Sequence, residues 1–174
     1  MKKHIPNILT TYRIIIALLI PILFFYSNYT TIFILFVTAI ISDTFDGILA
    51  RKWNASSTYG KVADTVGDKL FALSSCSTFI IKVNKWYIIT LILELIIASY
   101  NFITSIKNNS LVNGNFDMQS SSIYGKVKTW FLFATLSIGL LSLKVPFFIN
   151  LIIPFIIITS IMQIMTMISY IKTL

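Results

Sequence analysis

The stretch Ser42–Leu70, SDTFDGILARKWNASSTYGKVADTVGDKL, lies between two runs of almost unbroken apolar sequence. It contains Asp43, Asp46, Asp64 and Asp68, which are four of the six acidic residues in the chain. Residues three or four apart are neighbours on a helix surface, so the spacing predicts that each pair shares one helix face. A short loop separates the two pairs. We therefore expect two antiparallel helices that bring both pairs together at a similar depth.

The composition around this stretch is that of a membrane protein, because 56% of the 174 residues are hydrophobic and only 11% are charged. A helix needs about 20 largely apolar residues to cross the hydrocarbon core, and six segments reach this length. In lipid, a helix satisfies its own backbone hydrogen bonds. The predicted fold is thus an all-α integral membrane protein, with one six-helix transmembrane domain over residues 1–174. The predicted spans are 7–27, 30–50, 61–81, 86–106, 124–143 and 146–171.

The net charge of +8 comes from basic residues at the predicted helix ends, and they form no patch or stripe suited to nucleic acid. Cytoplasmic loops of membrane proteins carry an excess of Lys and Arg. This rule predicts that both termini are cytoplasmic and that the carboxylates lie in the cytoplasmic leaflet, between helices 2 and 3. The predicted inner side carries Lys2, Lys3, Arg51, Lys52, Lys61, Lys107, Lys126, Lys128 and Lys172. The predicted outer side carries Lys82, Lys85 and Lys144.

Four carboxylates at one depth repel each other unless positive charge lies among them. One interpretation is a salt-bridge network with Arg51, Lys61 and Lys69. The favoured interpretation is a site for hard divalent cations, because all-oxygen ligands suit Mg²⁺, Mn²⁺ or Ca²⁺ and no His or Cys is placed to select zinc.

With the small residues between the acids included, the motif reads Asp43-x-x-Asp46-Gly47-x-x-Ala50-Arg51, eight residues, then Gly60-x-x-x-Asp64-x-x-x-Asp68. This pattern resembles the signature of the CDP-alcohol phosphotransferase family, a group of integral membrane enzymes of phospholipid synthesis. The resemblance implies transfer of a substituted phosphate from a CDP-linked donor, usually CDP-diacylglycerol, to a small alcohol, with release of CMP. It also implies a homodimer in the cytoplasmic membrane of a bacterium, with the active site facing the cytoplasm.

The resemblance also implies a role for each motif residue. Asp68 would approach the metals and serve as the base for the acceptor hydroxyl, while Arg51 would lie near the donor phosphates. The implied ligands of two Mg²⁺ or Mn²⁺ ions are Asp43, Asp46, Asp64 and Asp68. The implied neighbours of the cytidine are Gly47, Ala50 and Gly60.

The opening segment HIPNILTTYR is similar to the start of the bacterial phosphatidylglycerophosphate synthases of this family. Asn7, Thr10 and Arg13 recur at every third residue, so they are expected to form one polar stripe on the first helix. All three are candidate donor-binding residues. Arg13 has two possible roles, contact with a donor phosphate or snorkelling to the membrane interface.

The segment YGKVKTW, at the start of the fifth predicted span, is similar to a Gly-Lys-x-Lys-Thr stretch of the same synthases. Lys126 and Thr129 are expected to share a helix face, whereas Lys128 points elsewhere. A phosphate on the acceptor would favour such a cation, which makes Lys126, Lys128 and Thr129 candidate acceptor-binding residues. The alternative is that both lysines anchor the helix at the membrane surface.

The fourth predicted span departs from those synthases, which carry an Arg-Glu pair and a later arginine there. Here Leu93 precedes Glu94 where those synthases have the arginine of the pair, and Asn101 stands near the place of their later arginine. A carboxylate inside the membrane indicates a functional site, so Glu94 is a candidate acceptor-pocket residue; a hydrogen bond to a neighbouring helix is the alternative.

Overall similarity favours glycerol 3-phosphate as the acceptor. Inositol phosphate, serine and phosphatidylglycerol are alternative acceptors for the same reaction. A divalent-cation transporter is an alternative from another class, but the acids stop near the inner leaflet, whereas a transport path distributes polar groups across the full membrane depth.

Overall fold

The computed structural model describes residues 5–26, 29–52, 58–107 and 123–172. Within these ranges the regular structure is helical, and the six predicted helices are confirmed. The polar connection between Lys107 and Ser122 lies almost entirely outside the described residues. The helices are α1 (Ile5–Tyr26), α2 (Tyr29–Lys52), α3 (Thr58–Lys82), α4 (Tyr87–Lys107), α5 (Ile123–Ser142) and α6 (Ile149–Lys172), with a 3₁₀ turn at Pro146–Phe148 before α6.

Fewer helices qualify as membrane spans than the six predicted. Among the described residues, the segments long and apolar enough to cross a membrane are Asn7–Tyr26, Tyr87–Thr104 and Pro146–Lys172. Helix α2 adds a shorter apolar segment, Tyr29–Asp43. Helices α3 and α5 fall short because charged residues in their first halves lower their hydropathy. The structure therefore supports an all-α protein with membrane-spanning helices.

The described chain divides into two compact units, and the boundary lies inside α3, between Ser75 and Cys76. In the first unit, α1 packs along α2, where the hydroxyl groups of Tyr12 and Thr38 are 2.8 Å apart. The rings of Phe36 on α2 and Phe71 on α3 lie 5.0 Å apart and are fully buried. The first unit thus has its own apolar core, which fixes α1, α2 and the start of α3 against one another.

The second unit is built around Tyr87 at the start of α4. Its hydroxyl donates a hydrogen bond to the Thr135 carbonyl oxygen at 2.8 Å, and its ring packs edge-on against Phe79 with centroids 5.4 Å apart. Gly139 on α5 permits this close packing, because a Cβ there would lie 2.9 Å from the Phe79 ring and would collide with the Tyr87 hydroxyl. Helices α5 and α6 are joined by a 2.6 Å hydrogen bond between Thr135 and Thr159. The predicted single domain over residues 1–174 remains a prediction.

Candidate active site

Three of the four acids in the opening stretch come together in the first unit. Asp43 lies on α2, while Asp64 and Asp68 lie one turn apart on α3 and share a helix face, as their spacing predicts. One carboxylate oxygen from each lies within 4.8 Å of the other two. Their side chains are 25%, 48% and 33% exposed, respectively, so all three carboxylates are partly exposed. The side chain of Asp46 lies outside the described residues.

Arg13 on α1 extends its guanidinium into this cluster, and its side chain is fully buried. Nη1 donates to Asp43 Oδ1, and Nη2 donates to Asp64 Oδ1 at 2.5 Å and to the Asp64 carbonyl oxygen at 3.3 Å. Nη2 also lies 3.1 Å from Asp68 Oδ1. Arg13 is therefore buried within the protein, where it pairs with acidic residues of α2 and α3.

Sequence reasoning did not assign this cation to the carboxylates. It named Arg51, Lys61 and Lys69 as candidate partners, and the side chains of Arg51 and Lys61 lie outside the described residues. The signal is nevertheless present in the sequence, because charged residues inside membrane spans pair with one another or with backbone carbonyls, and the chain offers few acidic residues.

Gly67 provides the space that the Arg13 side chain occupies beside α3. A Cβ at Gly67 would lie 3.3 Å from Arg13 Nε, 3.4 Å from Arg13 Nη2 and 3.2 Å from Ile14 Cγ1. The distances to Ile14 Cγ1 and Arg13 Nε are shorter than ordinary van der Waals contacts. The absence of a side chain at Gly67 therefore allows the guanidinium to pass close to the α3 backbone.

The predicted donor-binding residues are described only in part. Asn7 lines an open groove of about 390 Å³ on α1, whereas Thr10 is buried with Arg13. Gly60 is half-buried near the start of α3. Helix α2 also contains the remaining candidates, but their surroundings lie outside what the structure describes. These candidates are Gly47, Ala50 and Arg51.

A separate polar cluster joins three helices in the second unit. Glu94 on α4 is buried and accepts hydrogen bonds from Lys128 Nζ on α5, at 2.7 Å to Oε1 and 3.0 Å to Oε2. Gln163 Nε2 on α6 donates to Glu94 Oε2 at 2.9 Å and to the Thr90 carbonyl oxygen at 3.2 Å. The alternative in which Glu94 bonds to neighbouring helices is confirmed. Sequence reasoning missed Gln163, whose amide had no distinguishing pattern around it.

The two lysines of α5 have different surroundings, as their spacing predicts. Lys126 is exposed, whereas Lys128 is buried with Glu94. Thr129 is half-buried, and its hydroxyl donates to the Gly125 carbonyl oxygen at 3.1 Å. Lys126 is therefore the α5 lysine that is accessible to a ligand.

The carboxylate cluster fits a hard divalent cation. Its donors are all carboxylate oxygens, which Mg²⁺ and Mn²⁺ prefer, and they lie close enough together to share an ion. Among the described residues, these three carboxylates face the positive charges of Arg13 and Lys69, so one negative charge is left over, which a divalent cation would offset.

Comparison with known proteins identifies the class to which this fold and site belong. The profile of the CDP-alcohol phosphatidyltransferase family matches residues 3–172. The chain therefore belongs to that family, and the resemblance seen in the motif is confirmed. It is a membrane transferase of phospholipid biosynthesis that moves a phosphatidyl group to an alcohol.

Within the family, the chain is similar to proteins named CDP-diacylglycerol--glycerol-3-phosphate 3-phosphatidyltransferase. Examples come from Escherichia coli strain K12, Escherichia coli O157:H7 and Shigella flexneri serotype 5b. Each is 33% identical over 135 residues, which cover 74% of this chain and 72% of the relative. The similarity thus extends well beyond the acidic motif, into most of the chain.

Proposed function

We propose that this protein transfers the phosphatidyl group of CDP-diacylglycerol to glycerol 3-phosphate and releases CMP, in a reaction that requires divalent metal ions. The observation that carries the proposal is the meeting of Asp43, Asp64 and Asp68, whose carboxylate oxygens lie within 4.8 Å of one another. Family membership supports the reaction class. The name of the relatives supports both the donor and the acceptor.

The proposed metal ligands are Asp43, Asp46, Asp64 and Asp68. When bound, two divalent ions would hold the donor pyrophosphate and stabilise the charge that develops on the leaving CMP. Asp68 accepts the proton of the acceptor hydroxyl while the hydroxyl oxygen forms its bond to the phosphorus of the phosphatidyl group. The bond from that phosphorus to the CMP phosphate oxygen breaks, and CMP leaves with the electron pair.

Residues of α1, α2 and α3 would bind the donor. We assign Gly47, Ala50 and Gly60 to the cytidine pocket, because small residues let a ligand approach the helix backbone closely. We assign Asn7, Thr10, Arg13 and Arg51 to the neighbourhood of the donor phosphates.

Lys126 is the proposed partner of the acceptor phosphate. It is exposed, whereas the Lys128 ammonium group is engaged by Glu94. A phosphate gains charge-assisted hydrogen bonds from an ammonium group, and an uncharged alcohol does not. Lys126 would therefore favour an acceptor that carries a free phosphate, such as glycerol 3-phosphate or inositol phosphate, over serine. Phosphatidylglycerol is a different kind of acceptor, because its acyl chains would remain in lipid.

We further propose that all six helices lie in the cytoplasmic membrane of a bacterium with both termini inside, and that two copies form a homodimer. The distribution of basic residues supports this orientation. Reaction of single introduced cysteines with an impermeant maleimide in whole cells tests the orientation. The protein mass in detergent, measured by light scattering, tests the dimer.

The reaction is tested by supplying the purified protein with CDP-diacylglycerol, Mg²⁺ or Mn²⁺ and a panel of alcohols, and measuring CMP release. We expect CMP with glycerol 3-phosphate and loss of activity in excess EDTA. Asp68→Asn should abolish release, while Asp117→Asn, the same change outside the motif, should retain it. No CMP with any acceptor, or an unchanged rate in Asp68→Asn, would show that the proposed mechanism is wrong.

Divalent-cation transport is tested separately with the protein in sealed vesicles that contain a Mn²⁺-sensitive dye. We expect no dye response above that of protein-free vesicles. A response that depends on the protein and is lost in Asp68→Asn would favour transport.

A further inference from the structure

Arg13 contacts the same three carboxylates that a metal ion would use. Its guanidinium bonds to Asp43 and Asp64 and lies 3.1 Å from Asp68 Oδ1. Those side chains also provide the oxygens that lie within 4.8 Å of one another. A guanidinium and a divalent cation repel each other at such separations. They cannot both occupy the centre of this cluster.

The fold is built to hold Arg13 in this position. The side chain is fully buried, although it comes from a different helix than any of its three acidic partners. Gly67 leaves open the space beside α3 through which the guanidinium passes, since a Cβ there would lie 3.3 Å from Arg13 Nε. This arrangement differs from a surface ion pair in three ways. The guanidinium is buried, it has three carboxylate partners, and Gly67 leaves space for it.

We propose that Arg13 is an internal counter-cation, which holds Asp43, Asp64 and Asp68 together before a divalent ion binds and is displaced from them when the ion enters. The proposal rests on the metal dependence proposed above. In this role Arg13 is a positioning residue. It reduces the repulsion that would otherwise separate the carboxylates, and by competing with the ion it lowers the apparent affinity of the site for metal.

The test uses Mn²⁺ alone, added to the full-length protein in detergent after treatment with EDTA and its removal. Free Mn²⁺ is measured by electron paramagnetic resonance, and Tm is measured with and without Mn²⁺. Arg13→Gln should lower the Kd for Mn²⁺ by at least about fivefold, as expected for the loss of a coupled competitor. It should also lower the Tm without metal and increase the gain in Tm on adding Mn²⁺.

Lys85→Gln is the matched control, because it removes one positive charge from an exposed position between α3 and α4. Its Kd for Mn²⁺ should equal that of the unmodified protein. Gly67→Ala provides a second route to the same effect, because it keeps every charge but crowds the Arg13 guanidinium. It should lower the Kd in the same direction by a smaller factor, and it replaces Arg13→Gln if that variant does not fold.

The inference is overturned if Arg13→Gln or its replacement binds Mn²⁺ with an unchanged or higher Kd, or if no form of the protein binds Mn²⁺. If the variant lowers the Tm equally with and without Mn²⁺, Arg13 only stabilises the fold and does not compete with the metal ion, which also overturns the inference. Failure of the proposed function gives a different result. If the protein shows the predicted Mn²⁺ binding and Tm changes but releases no CMP, the proposed reaction is wrong and the proposed role of Arg13 still holds.

Discussion

Lys128 donates hydrogen bonds to both carboxylate oxygens of Glu94, at 2.7 and 3.0 Å, within the interior of the second unit. Gln163 adds a third donor at 2.9 Å, so residues from α4, α5 and α6 converge on one buried carboxylate. A buried charge that loses its partner is strongly destabilising, whereas a pair replaced as a whole costs much less. The stability of this unit therefore depends on keeping both charges or neither.

Lys128→Met should lower the Tm, because Glu94 then remains as a buried carboxylate without its lysine. A loss of about 3 kcal/mol corresponds to roughly 6–12 °C for a chain of this length. The double change Lys128→Met with Glu94→Gln should recover a large part of the loss, since the amide keeps an acceptor for Gln163 and carries no charge.

Lys126→Met is the matched control for this prediction, because Lys126 is exposed on the same helix. Thermal unfolding in detergent measures all the variants. Equal effects of Lys126→Met and Lys128→Met, or a double variant less stable than Lys128→Met alone, would contradict the importance of the buried pair.

Cys76 should act as a built-in reporter of unfolding. It is the single cysteine of the chain, it is fully buried, and its sulfur lies 3.5 Å from the Thr90 hydroxyl. A thiol-reactive dye should label it at least roughly tenfold more slowly in the folded protein than after heating, because access requires local opening. Moving the thiol to an exposed position, with Cys76→Ala and Lys85→Cys, should remove this difference. Rapid labelling of Cys76 in the folded protein would contradict its burial.

Gly139→Ala should destabilise the second unit, because the new methyl group would meet the Phe79 ring and the Tyr87 hydroxyl. Overpacking of this kind costs about 2 kcal/mol, or roughly 4–8 °C in Tm. Tyr87→Phe removes the nearest atom, so the double variant should lose less stability than the sum of the two single variants. Additive losses, within about 0.5 kcal/mol, would show that Gly139 and Tyr87 do not interact in this way.

Lys126→Ala should raise the KM for glycerol 3-phosphate by about tenfold, which is the usual effect of losing one charge-assisted hydrogen bond. The KM for CDP-diacylglycerol should stay unchanged, and Lys85→Ala should change neither constant. Initial rates of CMP release, with each substrate varied in turn, measure both constants. A parallel rise in the KM for both substrates would assign Lys126 a role other than binding the acceptor phosphate.

The features that could be predicted from the sequence depend on local spacing. Hydropathy located all six helices, and intervals of three and four residues placed Asp64 and Asp68 on one helix face. The meeting of these acids with Asp43 on α2 also followed, because the two helices are adjacent along the chain. The motif therefore indicated both the cluster and the family.

The contacts that could not be predicted join residues distant in sequence. Arg13 bonds to partners 30 and 51 residues away, and Gln163 bonds to a partner 69 residues away. No local periodicity encodes such pairs. The sequence allows two roles for Glu94, because only the packing of α5 and α6 around α4 determines which polar groups reach it.

The position of Arg13 in the chain has a consequence for biosynthesis. Translation completes this residue 30 positions before Asp43 and 51 positions before Asp64. Its segment, Asn7–Tyr26, is a candidate membrane span, so the first helix leaves the ribosome before the acidic residues that pair with its cation. Charges within a bilayer are costly until they are paired. Stable insertion of the first helix is therefore coupled to synthesis of the third, and a nascent chain truncated before Asp64 should be held less firmly in the membrane.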